Sequence, residues 1–247
     1  MSIFTAICNR DFRKVQRIVK TNPKCVNIKN KCQWTPLDEA ISYGPPEAAK
    51  LLWIMGGQPN LEIYRDGEQT PVHWAVMNGY IDTLKWVFEE ILPLSVLQIK
   101  CREGWSPLDW AIAWGKLEVA KFLWKEGGRP NLENYRDGGW TPVHHAADGG
   151  DIATLKWGFE NKVFPRSVLN IKNQRKETPL DRAIFEKQWE TAAFLRRLVY
   201  VDPVFLAMQR AKHDHECVLR QLPDELLDMV VDEVAVRFHL VVEWYGL

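Results

Sequence analysis

Thr35-Pro-Leu-Asp38 is the tetrapeptide that decides the fold, because close versions of it return four times along the chain. They stand at Thr70-Pro-Val-His73, Ser106-Pro-Leu-Asp109, Thr141-Pro-Val-His144 and Thr178-Pro-Leu-Asp181, at steps of 35, 36, 35 and 37 residues. A Thr or Ser hydroxyl caps free N–H groups at a helix start, and proline suits the first helical position, where no N–H is needed. Each tetrapeptide, called a frame below, therefore predicts a helix start.

The residues after each frame predict two short helices per repeat. A glycine in the left-handed conformation ends a helix, and the candidates for this role are Gly44, Gly79, Gly115 and Gly149. Segments such as residues 118–126 then carry apolar residues at three- and four-residue spacing, which predicts a second, amphipathic helix. The Asp-Gly pairs at 66–67 and 137–138 predict tight turns between repeats.

This combination of period, frame, helix pair and Asp-Gly turn resembles ankyrin repeats. The five framed repeats are preceded by a degenerate unit at residues 1–34, in which Ile3 to Cys8 and Phe12 to Val19 stand for the two helices. The resemblance implies an all-α solenoid of about six helix pairs with short hairpin fingers over residues 1–200. A small helical segment over residues 201–247 is expected to follow it.

A longer period of about 71 residues indicates that a unit of two repeats was duplicated. PNLEIYRDG at 59–67 returns as PNLENYRDG at 130–138, and LPLSVLQIK at 92–100 returns as FPRSVLNIK at 164–172. The frames alternate in the same way, with Asp in the odd repeats and His in the even ones. The family has histidine at this position, and an aspartate there can still accept the capping hydrogen bonds.

Charge and composition argue against several classes of protein. Lys plus Arg equals Asp plus Glu at 32 each, so the chain lacks the basic excess expected of a protein that binds nucleic acid or an anionic membrane. No apolar stretch has the length of a signal peptide or a membrane span. Five cysteines without a CxxC pair suit a reducing compartment. We expect an intracellular protein, of the cytoplasm or nucleus.

No pattern in the sequence supplies a catalytic, cofactor or metal site. The resemblance implies that the frame histidines His73 and His144 hydrogen-bond the neighbouring turn, and a ligand role for them is the alternative. In the run His213-Asp-His215-Glu-Cys217, His213 and Cys217 share a helical face, but no second cluster lies at zinc-motif spacing. Phosphate-binding loops are absent from the sequence as well. We expect neither enzyme activity nor a cofactor.

The resemblance also implies where a partner protein binds: the residue before each frame, and the two residues before the glycine that ends the first helix. The tip positions are Trp34, Gln69, Trp105, Trp140 and Glu177, and the helix positions are Ser42, Tyr43, Met77, Asn78, Ala113, Trp114 and Asp148. Exposed aromatic residues dominate many protein interfaces, so this surface is expected to bind a protein target that the sequence does not identify. The alternative is that the rings pack on the adjacent finger.

The C-terminal segment carries a second resemblance. Leu222-Pro-Asp-Glu-Leu-Leu-Asp-Met-Val-Val-Asp-Glu-Val234 resembles the opening of an F-box, the module that docks onto the Skp adaptor of cullin-type ubiquitin ligases. The resemblance implies that Leu222, Pro223, Leu226 and Leu227 contact that adaptor, as in the ankyrin/F-box proteins of large DNA viruses. Fewer residues follow than a full F-box contains. The alternative is a helix pair that only caps the last repeat.

Overall fold

The computed structural model describes residues 2–59, 69–101, 104–130 and 138–201, and within these ranges the chain forms six successive pairs of helices. The first helices of the pairs are α1 (Ile3–Cys8), α3 (Pro36–Tyr43), α5 (Pro71–Asn78), α7 (Pro107–Ala113), α9 (Pro142–Asp148) and α11 (Pro179–Phe185). The second helices are α2 (Phe12–Thr21), α4 (Pro46–Ile54), α6 (Ile81–Glu90), α8 (Leu117–Lys125), α10 (Ile152–Glu160) and α12 (Trp189–Arg196). Short 3₁₀ turns follow three of the second helices, at Pro23–Asn27, Leu94–Gln98 and Arg166–Asn170, and a π-helical turn at Arg197–Val201 follows α12.

This arrangement confirms the predicted all-α solenoid. Each first helix contacts the first helix of the next pair, from α1 to α11, and each second helix likewise contacts the next, from α2 to α12. The sixth residue of every framed repeat, counted from the Thr or Ser, is an alanine with no exposed surface: Ala40, Ala75, Ala111, Ala146 and Ala183. A side chain this small lets neighbouring first helices approach closely, which explains why the repeats stack.

Every frame starts a helix as predicted, and each does so through a reciprocal pair of hydrogen bonds. In the first frame the Asp38 N–H donates to Thr35 Oγ1 at 3.2 Å, and the Thr35 N–H donates back to Asp38 Oδ2 at 2.8 Å. The other four frames form the same capping box, with histidine in place of aspartate in the even repeats. The proline occupies the first turn in all five.

Thr70→Ala is expected to lower the free energy of unfolding by about 1–2 kcal/mol, because it removes a buried helix cap. The hydroxyl lies 2.7 Å from His73 Nδ1, so its loss also weakens the bond that positions the imidazole. Thr70→Ser keeps the hydroxyl and is the matched control, expected to unfold at nearly the wild-type urea concentration. If both variants unfold at the wild-type midpoint, the frame does not act as a cap.

Two of the four expected glycine helix ends are correct and two are not. Gly79 and Gly115 are left-handed, with φ of 74° and 60°. Gly44 has φ of −84° and an extended ψ, because the prolines that follow it exclude the helical region and begin the next helix. In the fourth repeat the left-handed residue is Gly150, one position later than expected, with φ of 76°.

The described parts of the fingers are tight turns, each with a backbone hydrogen bond across its base. The donors are the N–H groups of Asn30, Cys101 and Asn173, and the acceptors are the carbonyls of Trp34, Trp105 and Glu177, at 2.9–3.0 Å. Secondary structure in the described ranges is helical, apart from an isolated bridge residue at Gln69. The Asp66-Gly67 pair and the whole of the predicted tail from residue 202, with Leu222, Pro223, Leu226 and Leu227, lie outside the described residues. None of the described helices is long and apolar enough to cross a membrane.

Candidate protein-binding surface

The predicted contact residues differ widely in how much of each side chain is accessible. Trp114 at the end of α7 is the most open, with 53% of its surface exposed. The partly exposed members of the set are Tyr43, Gln69, Met77, Asn78, Trp140, Asp148 and Glu177. These eight residues remain available for a partner, and all of them lie at the fingers or on the first helices.

Four of the predicted contact residues are buried, which corrects the expectation that they are accessible. Trp34 has no exposed surface and Trp105 only 7%. The Trp105 ring lies edge-on against Trp110 of its own repeat, at 5.9 Å, and against His145 of the next, at 5.1 Å. Ser42 and Ala113 are also buried. These side chains pack inside the array, and for the two tryptophan rings this agrees with the alternative stated above, that they pack on neighbouring residues.

The position directly after each frame was missed by the sequence analysis. It is occupied by Glu39, Trp74, Trp110, His145 and Arg182. In the last two repeats this residue lies against the tip residue of the preceding repeat: His145 at 5.1 Å from Trp105, and the Arg182 guanidinium carbon at 4.8 Å from the Trp140 ring. Helical spacing could have identified this position. In the third repeat Trp110 lies four residues before the predicted contact Trp114 and so shares its helical face.

These side chains form a continuous band, which we call the aromatic belt: Trp105, Trp110, Trp114, Trp140, His145, Arg182 and Phe185. Trp114 stacks on Trp110 with an interplanar angle of 20° and a centroid separation of 6.2 Å. His145 bridges Trp105 and Trp140, at 5.1 and 4.8 Å. The belt therefore crosses three repeats without interruption, from the exposed indole of Trp114 to the exposed ring of Phe185.

Arg182 is the cation that anchors the C-terminal end of the belt. Its side chain is 5% exposed, its guanidinium lies over the rings of Trp140 and Phe185, and it pairs with Asp148 and with Glu186 at 2.7 Å. Burial alone would lower the pKa of Arg182, but the hydrogen bond and charge of Asp148 and the charges of Glu177 and Glu186 raise it above its usual value. Asp148, a predicted contact residue, therefore also positions Arg182.

Ring contacts and hydrogen bonds connect the first helices of the N-terminal repeats. The Tyr43 and Trp74 rings lie 5.4 Å apart, and Arg10 Nε donates to the Tyr43 carbonyl at 3.3 Å while its guanidinium lies over the Tyr80 ring. Asn78 Nδ2 donates to the Ser42 carbonyl at 3.1 Å, which links the ends of two successive first helices. Tyr43 and Asn78 therefore present only part of their side chains to a partner.

His73 and His144 are fully buried and hydrogen-bond the next finger, which is the structural role that the resemblance implied. His73 Nδ1 accepts from the Thr70 N–H, and Nε2–H donates to the Trp105 carbonyl at 3.1 Å. His144 bonds in the same way to Thr141 and to the Glu177 carbonyl. Burial lowers the pKa of each imidazole to about 4. Both imidazoles are neutral near pH 7, and both ring nitrogens of each form hydrogen bonds.

No three His, Cys, Asp or Glu side chains of the described ranges are grouped so as to hold a metal ion. His213, His215 and Cys217, considered above as ligands, lie outside those ranges.

Comparison with known proteins gives one family-model match, over about a third of the chain, and several partial relatives. The family model described as "Ankyrin repeats (3 copies)" matches residues 53–134. The "Probable 26S proteasome regulatory subunit p28" of Saccharomyces cerevisiae is 31% identical over 51% of this chain and 54% of its own length. The human transient receptor potential cation channel subfamily A member 1 is 30% identical over 49% of this chain and 10% of its own length. A fowlpox virus protein, whose name records ankyrin repeats, is 25% identical over 63% of this chain and 34% of its own. The chain thus spans from a tenth to about half of these relatives.

Proposed function

We propose that this solenoid, which matches the ankyrin-repeat model over residues 53–134, is a non-enzymatic adaptor whose aromatic belt binds a target protein. The observation that carries the proposal is the continuity of the belt, which ends in two exposed rings, Trp114 and Phe185. Large aromatic side chains lose little entropy on binding and contribute much of the energy at protein interfaces. An exposed indole that is already stacked on a buried one is held rigid before the partner arrives.

The second part of the proposal concerns the tail. Leu222, Pro223, Leu226 and Leu227 contact a Skp-type adaptor, so that the bound target is delivered to a cullin-type ubiquitin ligase. Support for this part comes from the sequence resemblance alone. The proposal places the protein in the cytoplasm or nucleus of a eukaryotic cell, with a host–virus role if the source is viral, and it involves neither nucleic acid nor a membrane.

One observation favours the alternative, a plain binding module whose tail shields the last repeat. Ile184 in α11 is 37% exposed, whereas Ile41 and Ile112 at the same position of earlier repeats have no exposed surface. Phe185 beside it is also exposed. The apolar end of the array is therefore uncovered by the described residues, and a tail that covered it would act as a cap.

A capture experiment with the purified full chain separates the two functions. We expect the chain to capture a eukaryotic Skp adaptor, and Leu222→Ala with Pro223→Ala to reduce capture at least about tenfold, because it removes two of the apolar side chains proposed to contact the adaptor. Trp114→Ala is the matched control, since it lies in the belt and is expected to leave Skp capture unchanged. Failure of the wild-type chain to capture the adaptor, with the helical circular dichroism spectrum intact, would favour the binding module.

A further inference from the structure

A cavity of about 800 Å³ lies on the opposite helical layer from the belt, between α10, the 3₁₀ turn at Arg166–Asn170 and α12. Three phenylalanine rings form its apolar wall. Phe159 lies edge-on to Phe164 at 5.3 Å and to Phe194 at 6.3 Å. The cavity is therefore apolar on one side and spans the second helices of the last two repeats.

One ring of the apolar wall, that of Phe164, is specific to this copy of the duplicated repeat, whereas Phe159 and Phe194 correspond to the Phe88 and Phe122 pair of the other copy. The equivalent repeat, which begins at Thr70, reads Ile91-Leu-Pro-Leu94 where this one reads Lys162-Val-Phe-Pro-Arg166. The Val163 N–H donates to the Gly158 carbonyl as the Leu92 N–H does to the Val87 carbonyl, so the structure pairs Leu92 with Val163 rather than with Phe164, and Phe164 is the extra residue. Room for its ring comes from Gly158, which stands where the other copy has Val87, because a Cβ at 158 would overlap the Phe164 ring. A glycine inside a helix costs about 0.5–1 kcal/mol, and here it creates the cavity wall.

The other side of the cavity is cationic. Among the described residues, Lys156, Lys162, Arg166 and Arg197 line it, against one carboxylate, that of Glu160. Lys162 and Arg166 stand where the other copy has Ile91 and Leu94, so the insertion was accompanied by two added positive charges. Arg166 Nη1 donates to the Leu198 carbonyl at 2.7 Å, which ties the 3₁₀ turn to the end of α12. The cavity thus suits an occupant that is both acidic and apolar.

The chain itself contains such a segment. Residues 222–234 carry five acidic side chains and no Lys or Arg, together with leucines at 222, 226 and 227. Arg197 and Leu198 of the cavity stand a few residues before Val201, the last described residue. The intervening residues 202–221 could reach about 30 Å even if entirely helical, which is enough to return the segment to the cavity.

We propose that the cavity binds residues 222–234 of the same chain, with the leucines against the phenylalanine wall and the carboxylates facing the lysines and arginines. Docking covers Leu226 and Leu227. On the basis of the proposed function, a Skp adaptor and the cavity then compete for one segment, so the cavity regulates recruitment. The docking itself does not depend on that function.

Hydrogen–deuterium exchange on the full chain, without any partner, tests the docking directly. We expect the amides of 222–234 to exchange at least about tenfold more slowly than in Lys156→Glu with Arg197→Glu, because the reversed charges repel the acidic segment. Lys85→Glu with Lys125→Glu is the matched control. It makes the same change in net charge, and Lys85 occupies in α6 the position that Lys156 occupies in α10. The control is expected to keep the protection.

A charge swap distinguishes direct contact from a general loss of structure. Adding Asp224→Lys and Asp228→Lys to the reversed-charge variant is expected to restore at least half of the lost protection. The proposal is overturned if residues 222–234 exchange equally fast in the wild type and the reversed-charge variant, or if the swap restores nothing while α10 and α12 stay protected. Skp is absent from this experiment. A negative result would therefore overturn the docking proposal without bearing on whether the chain captures Skp.

Discussion

Trp34→Ala is expected to lower the free energy of unfolding by about 3–5 kcal/mol, the cost of removing a large buried aromatic side chain. Among the described residues, Trp34 is the largest side chain with no exposed surface, and it directly precedes the first frame. The Trp34 backbone N–H donates to Asn30 Oδ1 at 3.0 Å, and its backbone carbonyl accepts from the Asn30 N–H. These bonds fix the backbone here, so the space left by the removed ring cannot easily collapse. Urea unfolding followed by circular dichroism measures the loss.

Trp114→Ala is the matched control, because it removes the same side chain from the exposed end of the belt. It is expected to lower the free energy of unfolding by about 1 kcal/mol, the value of the one aromatic stack with Trp110 that it loses. It should nevertheless weaken binding of the target once one is identified. Equal stability losses for the two variants would contradict the division between buried and accessible indoles.

Acidification from pH 6.5 to pH 4 is expected to destabilise the array by about 3 kcal/mol for each of His73 and His144. The folded pKa of each is about 4, against an ordinary value of 6.5, because both rings are desolvated by burial. In this window the unfolded chain binds more protons than the folded one. The contribution of these two histidines to stability is therefore fully present above pH 6.5. It is lost as the pH falls from 6.5 to 4, and little further loss from them is expected below pH 4.

The hydrogen bonds give the molecular reason. In each even repeat the Nδ1 atom accepts from a threonine N–H and Nε2–H donates to a carbonyl of the next finger. A second proton on Nδ1 would face that N–H donor in a fully buried site. Urea midpoints at pH 7 and pH 4.5 measure the effect.

Replacing both histidines by aspartate, the residue of the odd frames, is the control for this pH dependence. The double variant keeps the capping box but loses the bonds to the Trp105 and Glu177 carbonyls. It is expected to be less stable at pH 7 and to lose less stability between pH 6.5 and pH 4 than the wild type. An identical pH profile for the two proteins would show that other groups control acid unfolding.

Local features of this protein were predictable from the sequence because short-range interactions decide them. The five frames predicted five helix starts, and a Thr or Ser hydroxyl caps each one through residues at most three positions away. Even the degenerate first unit was placed correctly, with α1 at Ile3–Cys8 and α2 beginning at Phe12. The two glycine positions that were wrong, Gly44 and Gly149, depend on the prolines and the second glycine that directly follow them.

Tertiary structure alone decided which tryptophans are accessible. Trp105, Trp114 and Trp140 were all predicted as contact residues, yet the first is buried, the second exposed and the third half-buried under Arg182. Their burial depends on the side chain that the next repeat places over each ring, some 35 residues away, and periodicity within a repeat carries no information about that contact. The cavity beside α10 was unpredictable for the same reason. Only the folded structure shows that the Phe164 ring occupies the space beside Gly158. The repeat and its helices thus follow from local sequence patterns, whereas packing between repeats sets which surfaces are exposed.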